Sequence, residues 1–195
     1  MVQISSGPRL PLARLMAFID GGYLRDQCKR KIGTDTINFE RLKQRLAPEF
    51  NANCEGKYSG DLIRIYYYDA IVDPTDPEYN KQNEGFSKIR NINGFEVRLG
   101  RLVRTGENKN GSLKQKGVDV KLAIDMISKA YQEHYDFALL VAGDNDFLDV
   151  VEAVKDSNRR VFGFYFRDYI SKELLDSFDA KIAIDNFVNE LKPSN

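Results

Sequence analysis

The run Phe137-Ala138-Leu139-Leu140-Val141-Ala142 is apolar without a break, ends at Gly143, and is followed at once by Asp144 and Asp146. A strand with one solvated face would alternate apolar and polar residues, whereas a strand covered on both sides reads as this one does. Further apolar strand candidates lie at Leu15 to Ile19, Leu62 to Tyr68, Phe95 to Leu99, Val161 to Phe166 and Lys181 to Ile184. Helical spacing fills most of the gaps. Phe39, Leu42 and Leu46 share a face behind a cap at Asn38; Leu122, Ala123, Met126, Ile127 and Ala130 form a second stripe; Val150, Val151 and Val154 form a third. Parallel strands need crossovers, and helices supply them, so the expected fold class is α/β: a mainly parallel central sheet covered by helices on both faces.

At 195 residues, 42% apolar and 30% charged, the chain supports one sizeable core. A single domain over residues 14–195 is expected, behind an N-terminal extension of residues 1–13. The 29 Lys and Arg balance the 29 Asp and Glu, so no global field draws in nucleic acid or an anionic membrane, and any such binding needs a local patch. Cys28 and Cys54 stand alone, which suggests reduced thiols in a cytoplasmic setting. The apolar run Leu15 to Ile19 is too short for an export signal, and no stretch approaches the ~20 apolar residues of a membrane span. Pro74 and Pro77 mark a loop, and Thr105 to Lys116 is a long polar stretch expected to be mobile or ordered by ligand.

Open parallel sheets bind ligands at the carboxyl ends of their strands, where strand order reverses. The first strand candidate ends in Asp20, before Gly21-Gly22, and the strand at 137–141 runs into Asp144 and Asp146. Asp119 lies near a helix start, and its neighbours at +3, +4 and +7 are Leu122, Ala123 and Met126, a spacing that directs it toward the protein. Crowded carboxylates repel one another and take up protons unless a cation is present. Mg²⁺ or Mn²⁺ resolves this with oxygen ligands, and can activate water and stabilise charge in phosphoryl displacement. For any single acid the plainer reading is a turn former or helix cap, Asp144 or Asp146 capping the helix that follows. Taken together, acids at the ends of several elements point to a metal site. Asp149 reads as a surface residue; Asp125 reads either as part of a solvated ion-pair stripe with Lys121 and Lys129 or as something more.

The segments "AFIDGGYL", "KGVDVKLAIDM" and "LLVAGDNDFLDVVEAVKDSNRRVFGF", in this order, resemble the NYN domain, a branch of the PIN-like ribonucleases that includes LabA-like bacterial proteins. The resemblance spans residues 14 to 168 and is strongest over 116–166. It implies a three-layer α/β/α sandwich of PIN-like type and an acidic site that uses Mg²⁺ or Mn²⁺ to hydrolyse RNA. By motif it implies catalytic and metal-holding roles for Asp20, Asp119, Asp144 and Asp146, and a supporting role for Asp125. Family sequences often carry Asn shortly after the first aspartate, where this chain has Gly22-Tyr23. The small residue usual between the later acids is Asn145 here, which can still hydrogen-bond a ligand.

Between residues 98 and 116 the chain carries Arg98, Arg101, Arg104, Lys109, Lys114 and Lys116 against Glu107. This segregation suggests a phosphate-tracking patch, with Lys116 the foremost residue because it precedes the Asp119 helix. Tyr66, Tyr67 and Tyr68 read as ordinary sheet residues. His134 is the one histidine, in a polar segment without a nucleophile motif, and no GxxxxGK[ST] or GxGxxG loop occurs. The expected activity is a Mg²⁺/Mn²⁺-dependent endoribonuclease acting on single-stranded or locally unpaired RNA. One alternative is a PIN-like RNA-binding or regulatory module with weak or absent catalysis. Another, a phosphohydrolase of the haloacid-dehalogenase type, wants a second acid two residues after Asp20, where Gly22 stands. Residues 167–195 either complete the sheet and its cover or mediate self-association into a homo-oligomer.

Overall fold

The computed structural model describes residues 10–104 and 113–193. In chain order the larger elements are β1 (Leu12–Asp20), α1 (Gly21–Ile32), α2 (Phe39–Asn53), β2 (Ser59–Ile71), α3 (Tyr79–Arg90), β3 (Phe95–Arg104), β4 (Leu113–Lys116), α4 (Val118–Tyr131), β5 (Phe137–Val141), α5 (Leu148–Asp156), β6 (Arg160–Tyr165), α6 (Lys172–Ser177) and β7 (Ala180–Ala183). They build a seven-stranded sheet in the order β4-β3-β2-β1-β5-β6-β7, parallel except for β4. Every strand read from the sequence is present, and the α/β class with a mainly parallel sheet holds.

Alternation along β1 divides the core. Leu15, Ala17 and Ile19 pack with Leu24 of α1, Leu42 and Phe50 of α2, and Phe86 of α3; Met16 and Phe18 pack with Leu122 and Met126 of α4, Val151 of α5 and Leu174 of α6. This is the three-layer sandwich. The central strands are buried on both faces, which is why their sequences are continuously apolar. The tyrosines of β2 obey the same division, Tyr67 in one layer and Tyr66 and Tyr68 in the other, so they are sheet residues.

The helix read behind Asn38 begins where expected, with the Asn38 side chain accepting from Arg41 N–H at 3.1 Å. Helices α1, α3 and α6 and strand β4 are not read from the sequence. Helix α1 starts on a glycine pair, a poor helix signal, but Asp20 caps it and Gly33 ends it in the left-handed conformation at φ 79°. The polar stretch expected as a loop contains β4, which pairs antiparallel with β3 from Arg101↔Lys116 to Arg104↔Leu113. An edge strand with one solvated side can be polar, so its composition hides it. The remainder of that stretch, residues 105–112, lies outside the described residues, as does the side chain of Arg104.

Residues 167–193 complete the sheet through β7 and its cover through α6, with Ile184, Phe187 and Val188 entering the layer of α1 and α2. Gly163 makes this possible: a Cβ there would collide with the Phe178 ring. Gly163→Ala is expected to cost about 1–3 kcal/mol by overpacking. Urea unfolding would read the loss as a lower midpoint at unchanged slope, and adding Phe178→Leu should restore part of it. Wild-type stability of the single variant would contradict this packing.

Candidate active site

Strand order reverses between β1 and β5. From β1 the chain builds outward through β2 and β3, then returns across the sheet by way of α4 to start again at β5. The register pairs Ile19 with Val141, so the carboxyl ends of both strands stop side by side at this switch point. Asp20 is the last residue of β1. Asp144 lies three residues past β5 and heads a single 3₁₀ turn, Asn145–Phe147, that leads into α5. Asp119 occupies the first turn of α4, a favourable position for an acid facing the helix dipole.

The side chains carry two functions at once. Asp20 Oδ1 accepts from Tyr23 N–H at 3.0 Å and so caps α1. Asp144 Oδ1 accepts from Asp146 N–H at 3.1 Å and caps the 3₁₀ turn. The plainer reading of strand-end aspartates is therefore correct for both, yet each carboxylate has a second oxygen. Asp119 departs from the direction expected of it: Val118, Leu122 and Met126 are buried, whereas Asp119 itself is exposed at the helix end, as are Asp144 and Asp146. An acid in the first turn projects beyond the core that the rest of its face contacts.

The acids sense one another. Burial is the main influence that pushes Asp20 up to about 6, opposed by the Tyr23 hydrogen bond and reinforced by the charges of Asp119 and Asp69. Asp119 is also raised, by burial first and then by Asp144 and Asp146. Among the described residues none of Asp20, Asp119, Asp144 and Asp146 forms an ion pair with lysine or arginine. An all-carboxylate set with unneutralised repulsion fits a hard divalent cation. It does not form a closed cage, because no group of three potential ligands among the described residues lies close enough together. The fit is to a cation such as Mg²⁺, which takes one or two carboxylates and keeps several waters.

Glycines shape the surroundings. A Cβ on Gly21 would collide with the Tyr67 ring, and one on Gly143 with Tyr23 and the Tyr169 carbonyl. At Gly22 it would stand 2.7 Å from Gln115 Nε2 and 3.4 Å from Asp20 Oδ1. Gln115 of β4 therefore reaches over Gly22 to the side of Asp20. Its sequence neighbours on the strand, Lys114 and Lys116, alternate to the opposite face together with Arg101, which pairs with Lys116 across the hairpin. The polar β4 residue beside Asp20 is thus Gln115 rather than Lys116.

Other expected residues are placed elsewhere. Arg98 lies against α4, 3.1 Å from Glu96, 3.7 Å from Asp125 and over the Tyr66 ring. Asp125 is partly buried and accepts from Tyr68 Oη at 2.9 Å and Lys129 Nζ at 2.9 Å, tying α4 to β2. Asn145 Oδ1 accepts from Ser171 Oγ at 3.0 Å, and Ser171 in turn caps α6. Tyr23 Oη accepts from Phe166 N–H at 2.9 Å and braces the end of β6. Sequence reading missed Asp69, the wholly buried acid at the end of β2, although it follows an apolar strand just as Asp20 does. Its carboxylate accepts from Tyr67 Oη at 2.8 Å, Arg25 Nη2 at 2.8 Å and Ala70 N–H at 2.7 Å.

Comparison with known proteins agrees with this architecture. The family model of the NYN domain matches residues 14–185. The Low amplitude and bright protein LabA of Synechococcus elongatus is 25% identical over 128 residues, covering 65% of this chain and 64% of that protein, so the chain spans less than two thirds of that relative's length. The crystal structure of a protein of unknown function from Vibrio parahaemolyticus superposes with a TM-score of 0.62 at 22% identity, covering 89% of this chain and 94% of the other. At that identity the likeness is one of fold.

Because Asp20 holds its proton more tightly in the folded state, its favourable contribution is present at low pH and is lost as pH rises through about 6. Asp20→Asn keeps a capping oxygen and removes the buried charge. In EDTA at pH 7 the variant is expected to be more stable than wild type by about 1 kcal/mol, roughly 2–4 °C in Tm. The gap should close near pH 4, and Mg²⁺ or Mn²⁺ should raise the Tm of wild type alone. A variant that melts lower than wild type in EDTA at pH 7 would show that Asp20 is not a strained charge.

Proposed function

This chain belongs to the NYN domain family, and from that membership together with the acids at its switch point we propose that it is a divalent-metal-dependent endoribonuclease acting on single-stranded or locally unpaired RNA. The observation that carries the proposal is the arrival of Asp20, Asp119 and the Asp144–Asp146 turn, from three distant segments, at the ends of β1, α4 and β5. In this reading their free carboxylate oxygens hold Mg²⁺ or Mn²⁺ directly or through water. The cation supplies charge neutralisation at the phosphate and lowers the pKa of water.

The chain's own residues would do the rest. Gln115 Nε2, beside Asp20, donates to a phosphate oxygen. Lys114, Lys116 and Arg101 on the β3–β4 pair follow the backbone as exposed cations. Arg98 contributes less than its sequence position suggests, since Glu96 and Asp125 already neutralise it. Asn145 orients the acidic turn through Ser171 rather than binding substrate.

A second reading, an RNA-binding or regulatory module with weak or absent catalysis, draws on a specific observation. Asp20 and Asp144 each spend an oxygen on capping, and the described acids do not close into a cluster of three. The Synechococcus relative carries a name that specifies no chemistry.

A time course of labelled single-stranded and hairpin RNA, in Mg²⁺, Mn²⁺ and EDTA, separates the two. Cleavage is expected only with metal and only of unpaired segments. Asp144→Asn, which retains the cap, should lower the rate by on the order of a hundredfold or more. Binding in EDTA with no cleavage under either metal would establish the module instead, and undiminished cleavage by the variant would remove Asp144 from the site.

A further inference from the structure

One strand away from the acids, a cavity of about 660 Å³ opens between α1, the start of α2, α3 and the ends of β2 and β3. Its size falls within the roughly 300–1,000 Å³ typical of small-molecule sites. Phe39, Phe86 and Ile89 supply apolar and aromatic walls, and Tyr67, Arg25 and Gln82 also line it. Register places it beside the candidate active site. Tyr68 pairs with Asp20 across β1 and β2, Asp69 is the next residue, and Arg25 follows Asp20 little more than a turn along α1.

The polar groups are set for a particular kind of ligand. Asp69 is fully buried, and its three accepted hydrogen bonds fix the orientation of the Arg25 guanidinium. Arg25 Nε is itself buried and finds no hydrogen-bond partner among the described residues. The rest of the Arg25 side chain is partly exposed at the cavity wall, where a ligand acceptor can meet the guanidinium. Gln82 gives its carbonyl oxygen to Val72 N–H at 3.2 Å, which leaves its amide nitrogen as a second donor. The charges around the lining balance, Arg25, Lys81 and Lys88 against Asp35, Glu40 and Glu84.

Balanced charge disfavours a phosphate, and unspent donors disfavour a purely aliphatic group. Flat apolar walls with fixed N–H donors suit a planar heteroaromatic ring bearing carbonyl and ring-nitrogen acceptors. We propose that this cavity is a nucleobase subsite, which takes one unpaired base of the RNA strand whose phosphates pass the acids. The proposal rests on the ribonuclease reading and deepens it: the cavity decides which nucleotide is presented to Asp20 and Asp144.

The test uses ¹⁵N NMR of the full chain in EDTA, titrated with each ribonucleoside 5′-monophosphate and with ribose 5-phosphate as the base-free control. At least one nucleotide is expected to shift the Arg25 Nε–H and Gln82 side-chain signals saturably, and ribose 5-phosphate is not. Gly85 lines the cavity, and a Cβ there would meet nothing within 4 Å, so Gly85→Trp places a large ring at the cavity wall. It should weaken nucleotide binding about tenfold or more and flatten the nucleotide preference of cleavage, and Gln82→Ala should do the same in part. Unshifted signals, equal shifts with ribose 5-phosphate, or wild-type binding by Gly85→Trp would overturn the proposal. Nucleotide binding in a protein that cuts no RNA would leave the base site standing and defeat the ribonuclease reading. Cleavage without base preference or shifts would do the reverse.

Discussion

The structure depends on β1 being paired along both edges and buried on both faces. β2 joins it on one side and β5 on the other, so its nine residues Leu12–Asp20 occupy the centre of the sheet. This arrangement brings the end of an early segment next to the end of a late one. The hydrophobic side chains of β1 thus do the positioning, Leu15, Ala17 and Ile19 against one layer and Met16 and Phe18 against the other. The carboxylates at the top are held by packing far below them, and hydrogen bonds only trim their orientation.

That trimming has a chemical consequence. A carboxylate that caps a helix has one oxygen aimed at backbone N–H groups and the other turned away, and its rotamer is fixed before any ligand arrives. Asp20 and Asp144 are both in this state. Burial, reinforced by the charges of Asp119 and Asp69, makes the ionised Asp20 an electrostatic cost borne by the folded protein in the absence of cations. Asp69 deals with its charge in the opposite way, surrounded by a guanidinium, a phenol and a backbone amide. Two acids one strand apart are therefore distinguished by their partners: one is left exposed to a cation's attraction, the other is closed and structural.

Much of this was legible in residue patterns, for physical reasons that also explain the failures. Continuous burial writes itself as continuous apolarity, so β1, β5 and β6 could be read directly. The amphipathic stripes of α2, α4 and α5 were equally plain. Helix α1 was not, because its opening Gly21-Gly22 is selected by the close approach of Tyr67 and Gln115, contacts that local propensity cannot express. Strand β4 is polar because it is an edge. Asp20 and Asp144 stood out by their position after apolar strands and Asp119 by its place at a helix start, but the direction of Asp119 was misjudged, since helical spacing describes the body of a helix and not its first turn. Arg98 looked like a phosphate ligand until its neighbours were known: Glu96 lies on the same strand just before the basic run, and Asp125 comes from α4, a contact invisible to a one-dimensional charge count. Asp69 bore the same signature as Asp20 and was hidden only by the tyrosines around it.

Gly117 separates the last residue of β4 from the first of α4, and it does so in the left-handed conformation at φ 77°. A side chain there would be strained, so the chain turns through a joint that only glycine makes without penalty. The cationic strand β4 and the Asp119 carboxylate consequently sit on two arms of one elbow, Lys116 three positions before Asp119. The joint between the cationic strand and the acid is thus made by a residue with no side chain at all.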